Sequence, residues 1–359
     1  MKQEPAFKPR EIIFAPTGQC NLYCAHCRVK RGAAELDAAS AIRFLDDCIR
    51  PGGGDSNGGE PGGPGFGFGG GSGALPSIER VGFSGGEPFL LPGFLVELCR
   101  AVTERGLLFD RLMTNGDWWA DEDELSATLG ALYEAGFDGI LGLSYDAYHG
   151  QDPDRLAAFL GVYFRIWGRK DGAELLSVRS PDDEAFLRDL DRLAALLGGS
   201  VERSGGEPSR IVDRAYKARR AGDPDDGSGL CLPILRSPRS ASADEGAWSA
   251  EAWFEDDYCE GPGQVLYVHP DGSVAVCCGF ANERPELILG NIREGYAALM
   301  AAAAMAPHVG ACYENGLGRL RQELEAKGVA FPGKTSDICF FCDYLCERGF
   351  AGEPPAPGA

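Results

Sequence analysis

The sequence predicts an α/β protein: repeated βα units forming a parallel sheet over the first two thirds, followed by a smaller metal-binding unit. Three observations carry this. Short apolar runs alternate with segments whose apolar residues recur at spacings of three and four, the pattern of strands alternating with amphipathic helices. Seven of the thirteen cysteines fall in the C-terminal third, between Cys259 and Cys346. At 359 residues the chain is long enough for one large domain and a small one.

In chain order, strands are expected at Ile12 to Ala15, Arg80 to Phe83, Arg111 to Thr114, Gly139 to Ser144 and Leu175 to Val178, with a further one near Ile211. Helices are expected at Ala38 to Cys48, Leu91 to Thr103, Glu122 to Glu134, Asp154 to Ile166 and Asp183 to Leu197. Residues 51–76 are too glycine-rich to offset the entropy of ordering and are expected as a mobile surface insert. Loop-closure entropy grows only logarithmically with length, so such an insert costs little stability. The expected division is an N-terminal tail at 1–10, the βα domain at 11–235, a linker at 236–252, the second domain at 253–350 and a disordered tail at 351–359.

The formal net charge of −20 argues against a nucleic-acid partner, because phosphate backbones are repelled. The one dense basic run, Arg214 to Arg220, reads as a solvated helix face. No apolar stretch approaches membrane-spanning length and no signal peptide opens the chain, so no membrane contact is expected. The expected compartment is therefore the cytoplasm, where thiols stay reduced and serve metals.

Two cysteine groupings point to metal. The first is Cys20, Cys24 and Cys27, in the loop TGQCNLYCAHC that follows the apolar run Ile12-Ile13-Phe14. A 4Fe-4S cluster has four irons, so three thiolates leave one iron open to a small molecule. The alternatives are a zinc knuckle, for which His26 is the local fourth ligand on offer, and three buried thiols. In the second grouping, Gln264 to Val276 alternates about Pro270-Asp271-Gly272, a hairpin signal that brings Cys259 and Cys277 toward one end. Cys339 and Cys342 supply a second pair, and four such thiolates suit either an iron–sulfur cluster or zinc.

The tetrapeptide GGEP occurs three times, at Gly58, Gly205 and Gly85. Only Gly85, Gly86, Glu87 and Pro88 follow a strand and precede a helix, where a backbone without side chains can approach a ligand closely. C-x3-C-x2-C followed by this strand-end GGEP resembles the radical S-adenosylmethionine (SAM) superfamily. The resemblance implies a partial (β/α)6 TIM-like barrel with its chemistry at the carboxyl ends of the strands. It also implies that Cys20, Cys24 and Cys27 bind a 4Fe-4S cluster whose open iron chelates SAM, with Gly85 to Pro88 beside the SAM amino group. Reductive cleavage of SAM then gives a 5′-deoxyadenosyl radical that takes hydrogen from the substrate.

Two further strand ends resemble family turns. Thr114-Asn115-Gly116 is similar to the turn after the third strand, placing Asn115 at the cofactor. Ser144-Tyr145-Asp146 is similar to the S-x-D after the fourth, although Ala147 stands where members often carry glycine. Ser144 is expected at the ribose or carboxylate of SAM, with a helix cap or turn as its structural alternative. Tyr148 and His149 enter the same rim.

The C-terminal pattern, C-x12-G-x4-C, then Leu289 to Ile292, then C-x2-C, resembles the auxiliary-cluster extensions called SPASM and twitch. The run from Cys339 is C-x2-C-x3-C instead of the full SPASM pattern, implying one auxiliary 4Fe-4S cluster held by Cys259, Cys277, Cys339 and Cys342, with Cys346 as the substitute. By this resemblance Cys278 stands where sulfatase-maturating relatives carry an aspartate, and a thiol there can return a hydrogen atom to a carbon radical; its alternatives are a small buried residue and a substitute ligand for Cys277. The expected function is hydrogen abstraction from a peptide or small molecule, ending in epimerisation with Cys278 as donor. A flavodoxin- or ferredoxin-type protein is the expected reductant. The alternatives are crosslinking or dehydrogenation with the auxiliary cluster accepting an electron, and, outside catalysis, an iron–sulfur electron carrier or zinc-binding protein.

Overall fold

Glu11–Phe14 (β1) alternates half-buried and buried residues, as a strand at the centre of a sheet should. The computed structural model describes residues 7–49, 77–180, 183–218, 229–237, 246–255, 259 and 264–350. The glycine-rich insert, the Gly58 copy of GGEP, residues 238–245 of the expected linker, the end of the basic run and both chain termini lie outside the described residues.

The remaining strands are β2 (Arg80–Phe83), β3 (Leu108–Thr114), β4 (Ile140–Ser144), β5 (Ala173–Val178), β6 (Ser200–Ser204), β7 (Glu207–Val212), β8 (Cys231–Ser237), β9 (Val265–Val268), β10 (Ser273–Ala275) and β11 (Ile288–Asn291). They form one sheet in the order β11-β10-β9-β1-β2-β3-β4-β5-β8-β7-β6. The run from β9 through β1 to β5 and on to β8 is parallel throughout. Antiparallel strands flank it, β10 and β11 on one edge and β7 and β6 on the other. Among the described residues the sheet is not closed, so the barrel is a partial one.

The helices α1 (Ala38–Ile49), α2 (Pro92–Glu104), α3 (Glu122–Glu134), α4 (Pro153–Trp167) and α5 (Asp183–Leu196) connect the parallel strands. In α4 the Asp152 side chain caps the first turn, Pro153 occupies the position where no amide partner is needed, and Gly168 ends the helix in the left-handed region. Its inner face buries Leu156, Phe159, Leu160 and Tyr163, each burial contributing about 1.5–3 kcal/mol. Beyond the short α6 (Arg214–Ala218), the C-terminal part adds α7 (Tyr296–Met305), α8 (Pro307–Gly310), α9 (Leu317–Ala326) and α10 (Ile338–Glu347). No helix among the described residues is long and apolar enough to cross a membrane.

Two features differ from expectation. The run near Ile211 is β7, antiparallel to β6, and it does not continue the parallel series. That place belongs to β8, in which Pro233 disguised a strand, since proline removes a ladder donor. The hairpin at Pro270 to Gly272 forms as expected, yet its first strand pairs in parallel with β1, so the C-terminal segment extends the same sheet.

Candidate active site

The loop after β1 carries Cys20, Cys24 and Cys27, and the turn after β2 holds it in place. The Gly86 amide donates to the Thr17 carbonyl at 2.8 Å and the Glu87 amide to the Gln19 carbonyl at 2.8 Å. Gly85 has φ +120°, and a Cβ on Gly86 would lie 2.0 Å from the Gln19 carbonyl oxygen. The glycines are therefore required by the close approach of the two backbones.

Glu87 is fully buried behind this turn. Its carboxylate accepts hydrogen bonds from the Phe89 amide at 3.1 Å, the Thr114 hydroxyl at 2.9 Å and the Asn115 amide at 2.7 Å. Burial raises its pKa to about 7, opposed by those donors. Asn115, fixed by this bond, donates its own amide to Asn21 Oδ1 at 2.8 Å and to Cys20 Sγ at 3.6 Å. Thus Glu87 joins the two turns that frame the cysteine loop.

Cys20, Cys24, Cys27, Gly85, Gly86, Asn115 and Ser144 all line one cavity of ≈ 180 Å³ at the carboxyl ends of the strands. Glu87 and Pro88 stand behind its wall. A second cavity of ≈ 510 Å³ adjoins it, sharing His26, Cys27, Ser84, Met113, Ser144 and His149, and its far wall includes Tyr267 and Cys278. Tyr267 is 4% exposed and its hydroxyl is hydrogen-bonded to Ser84. The structure thus brings the cysteine trio, both glycines, Asn115, Ser144 and Cys278 to one connected space.

Asp146 performs the turn role considered for Ser144. Its Oδ1 accepts from the Tyr148 amide at 3.0 Å and the His149 amide at 3.2 Å, and its Oδ2 accepts from the Val178 amide at 3.1 Å. Burial alone would raise its pKa, but the hydrogen bond and charge of His149 lower it. Burial likewise opposes the charged form of His149, whose hydrogen bonds to Asp146 and Cys24 lift its pKa to about 9. His26 stacks edge-on with His149 at 5.0 Å between centroids and was not singled out for this position by spacing alone.

Around the second locus, Cys259, Cys277, Cys339 and Cys342 line one apolar cavity together with Cys312. Asp337 caps α10 by accepting from the amides of Cys339 and Phe340, and the i, i+3 spacing puts Cys339 and Cys342 on one face. A point 3.3 Å from Cys339 Sγ lies 3.7 Å from Cys277 Sγ, beside Gly279. Cys312 Sγ is 3.9 Å from Cys342 Sγ, and Cys346 turns instead toward His308. Burial pushes the Cys277 thiol up to about 12, so a thiolate in this cavity needs a bound cation to balance its charge. Arg28, next to Cys27, and Arg284 both reach Asp343, next to Cys342, at 2.8 Å.

Residues 259–305 match SPASM, an iron–sulfur cluster-binding domain family. A comparison with curated proteins finds no match. Among solved structures the chain is similar to hexahistidine-tagged anSMEcpe with bound AdoMet, at 12% identity, TM-score 0.52 and coverage of 96% of both chains. It is similar also to native anSMEcpe with bound AdoMet and Cp18Cys peptide, at 12% identity, TM-score 0.51 and 96% of both chains. The chain therefore has an open, partial-barrel α/β fold with a C-terminal SPASM domain, as the resemblance to radical SAM proteins with SPASM or twitch extensions implied.

Proposed function

We propose that this chain is a radical SAM enzyme that abstracts hydrogen from a peptide and returns hydrogen from Cys278. The supporting observation is that Cys278 and Cys27 line the same ≈ 510 Å³ cavity, which adjoins the smaller space around the cysteine trio. In this reading Cys20, Cys24 and Cys27 hold a 4Fe-4S cluster, and Gly85, Gly86, Asn115 and Ser144 hold SAM, with Glu87 and Pro88 bracing them. When bound, cluster and SAM supply the hydrogen-abstracting 5′-deoxyadenosyl radical.

The larger cavity takes the substrate. Its wall at Cys278 presents an S–H bond whose hydrogen atom passes to a substrate carbon radical, leaving a sulfur radical for one electron and one proton to restore. Cys259, Cys277 and Cys339 hold the auxiliary 4Fe-4S cluster, with a fourth thiolate from the Cys312 and Cys342 pair. A flavodoxin- or ferredoxin-type protein supplies electrons. The peptide assignment draws on the cavity's size and on the peptide bound to anSMEcpe, which has the same fold.

The test is anaerobic reconstitution, counting of iron and sulfide, and assay for 5′-deoxyadenosine, followed by product mass in heavy water. A product of unchanged hydrogen count carrying one solvent deuterium is expected. A product two hydrogens lighter overturns the hydrogen-return step in favour of oxidation.

A further inference from the structure

The auxiliary cavity leaves part of its soft-donor set unused. α8 turns His308 inward until it is 1% exposed, and its Nε2 lies 3.2 Å from Cys342 Sγ and 3.4 Å from Cys346 Sγ. Cys342 and Cys346 are four residues apart on one face of α10, and their side chains are hydrogen-bonded to each other. All three donor atoms lie within 4.8 Å of one another and all three residues are buried.

These separations can be compared with those of a metal site. With Zn–S near 2.3 Å and Zn–N near 2.0 Å, tetrahedral geometry requires N···S of about 3.6 Å and S···S of about 3.8 Å. The two observed N···S distances fall short of that by only a few tenths of an ångström. Small rotations about χ1 would open the set to its ligand spacing. Cys342 lines the cavity that Cys259, Cys277, Cys312 and Cys339 share and Cys346 does not, so the Cys342 thiol stands between that cavity and the pair of Cys346 and His308.

We propose that His308, Cys342 and Cys346 form a separate mononuclear site for a thiophilic divalent ion of the zinc class. Two thiolates and a neutral imidazole select such an ion over hard cations, and two thiolate charges balance it in a buried setting. Cys312 then becomes the fourth ligand of the auxiliary cluster. The assignment goes beyond the auxiliary-cluster reading and does not depend on the SAM locus.

The test is elemental analysis of the full-length protein, purified anaerobically, for zinc, iron and acid-labile sulfide together. About one zinc per chain is expected in the parent. His308→Ala and Cys346→Ala should each lower zinc about tenfold while leaving iron and sulfide unchanged, and His308→Cys should retain it, which separates lost ligation from lost folding. Cobalt(II) in place of zinc should give thiolate charge-transfer absorption that His308→Ala abolishes. A parent without zinc and without the cobalt bands would show a hydrogen-bonded cluster only, and iron loss on Cys346→Ala would make that residue a cluster ligand. Either result overturns the proposal. Failure of the auxiliary-cluster reading is distinct: Cys277→Ala would then leave iron unchanged whatever the zinc content.

Discussion

Replacing Glu87 with glutamine tests whether this buried carboxyl braces the site, and the structure gives both a size and a pH dependence for the effect. Oε1 serves Phe89 and Thr114, and Oε2 serves the Asn115 amide. Glutamine keeps one acceptor and turns a donor on the other amide, so one buried hydrogen bond is lost, at about 1–3 kcal/mol. The pKa of Glu87 rises from 4.5 to about 7 because of burial. The folded state therefore binds more protons than the unfolded chain in that interval, and stability from the neutral carboxyl is complete below pH 4.5 and lost as pH rises through 7. The gap amounts to roughly 3 kcal/mol, or on the order of 6 °C in melting temperature. Thermal unfolding of both proteins from pH 5 to 8 should show Glu87→Gln less stable by about 2 kcal/mol at pH 5, with the difference vanishing or reversing at pH 8. A constant difference across that range would refute burial as the dominant influence on Glu87.

Other consequences are as direct. Cys278→Ala should still release 5′-deoxyadenosine while product inversion and solvent deuterium uptake disappear, as chiral chromatography and mass spectrometry would show. Gly86→Ala forces a Cβ onto the Gln19 carbonyl, so the cysteine loop must move, and iron analysis should find about four fewer irons per chain with SPASM iron retained. Asp343→Asn removes the buried charge between Arg28 and Arg284. Because both arginine side chains keep about a third of their surface in solvent, denaturant unfolding should register a loss of roughly 2–3 kcal/mol, less than for a fully buried pair.

Much of the parallel sheet was legible because its strands are short apolar runs set between amphipathic helices: β2 has the expected bounds and α3 does too. β8 was not, since Pro233 interrupts its apolar run and its last residues, Arg236 and Ser237, read as the start of a linker. The hairpin signal at Pro270 predicted the shape of β9 and β10, but parallel pairing of β9 with β1 joins residues 254 apart and leaves no local pattern. At the site, spacing singled out the cysteine trio and a GGEP copy whose two glycines line the same cavity. It could not separate residues that face a cavity from those behind its wall, which is why Glu87 read like Gly85. Cys312 escaped because it lies in no C-x2-C pair; a count of seven C-terminal cysteines against four ligands was its only trace.

The bond from Arg28 to Asp343 spans 315 residues and completes the loop that opens the chain with a helix near its end. During synthesis, N-terminal segments emerge first, and contacts of such separation wait on the rest. This anchor of the cysteine loop can therefore form only after α10 has left the ribosome, whereas its bonds to the turns after β2 and β3 need only the first third of the chain. A truncated product lacking its last helix would keep the loop's bonds to Gly86 and Glu87 but lose this one, and with it the tie between the two cysteine groupings.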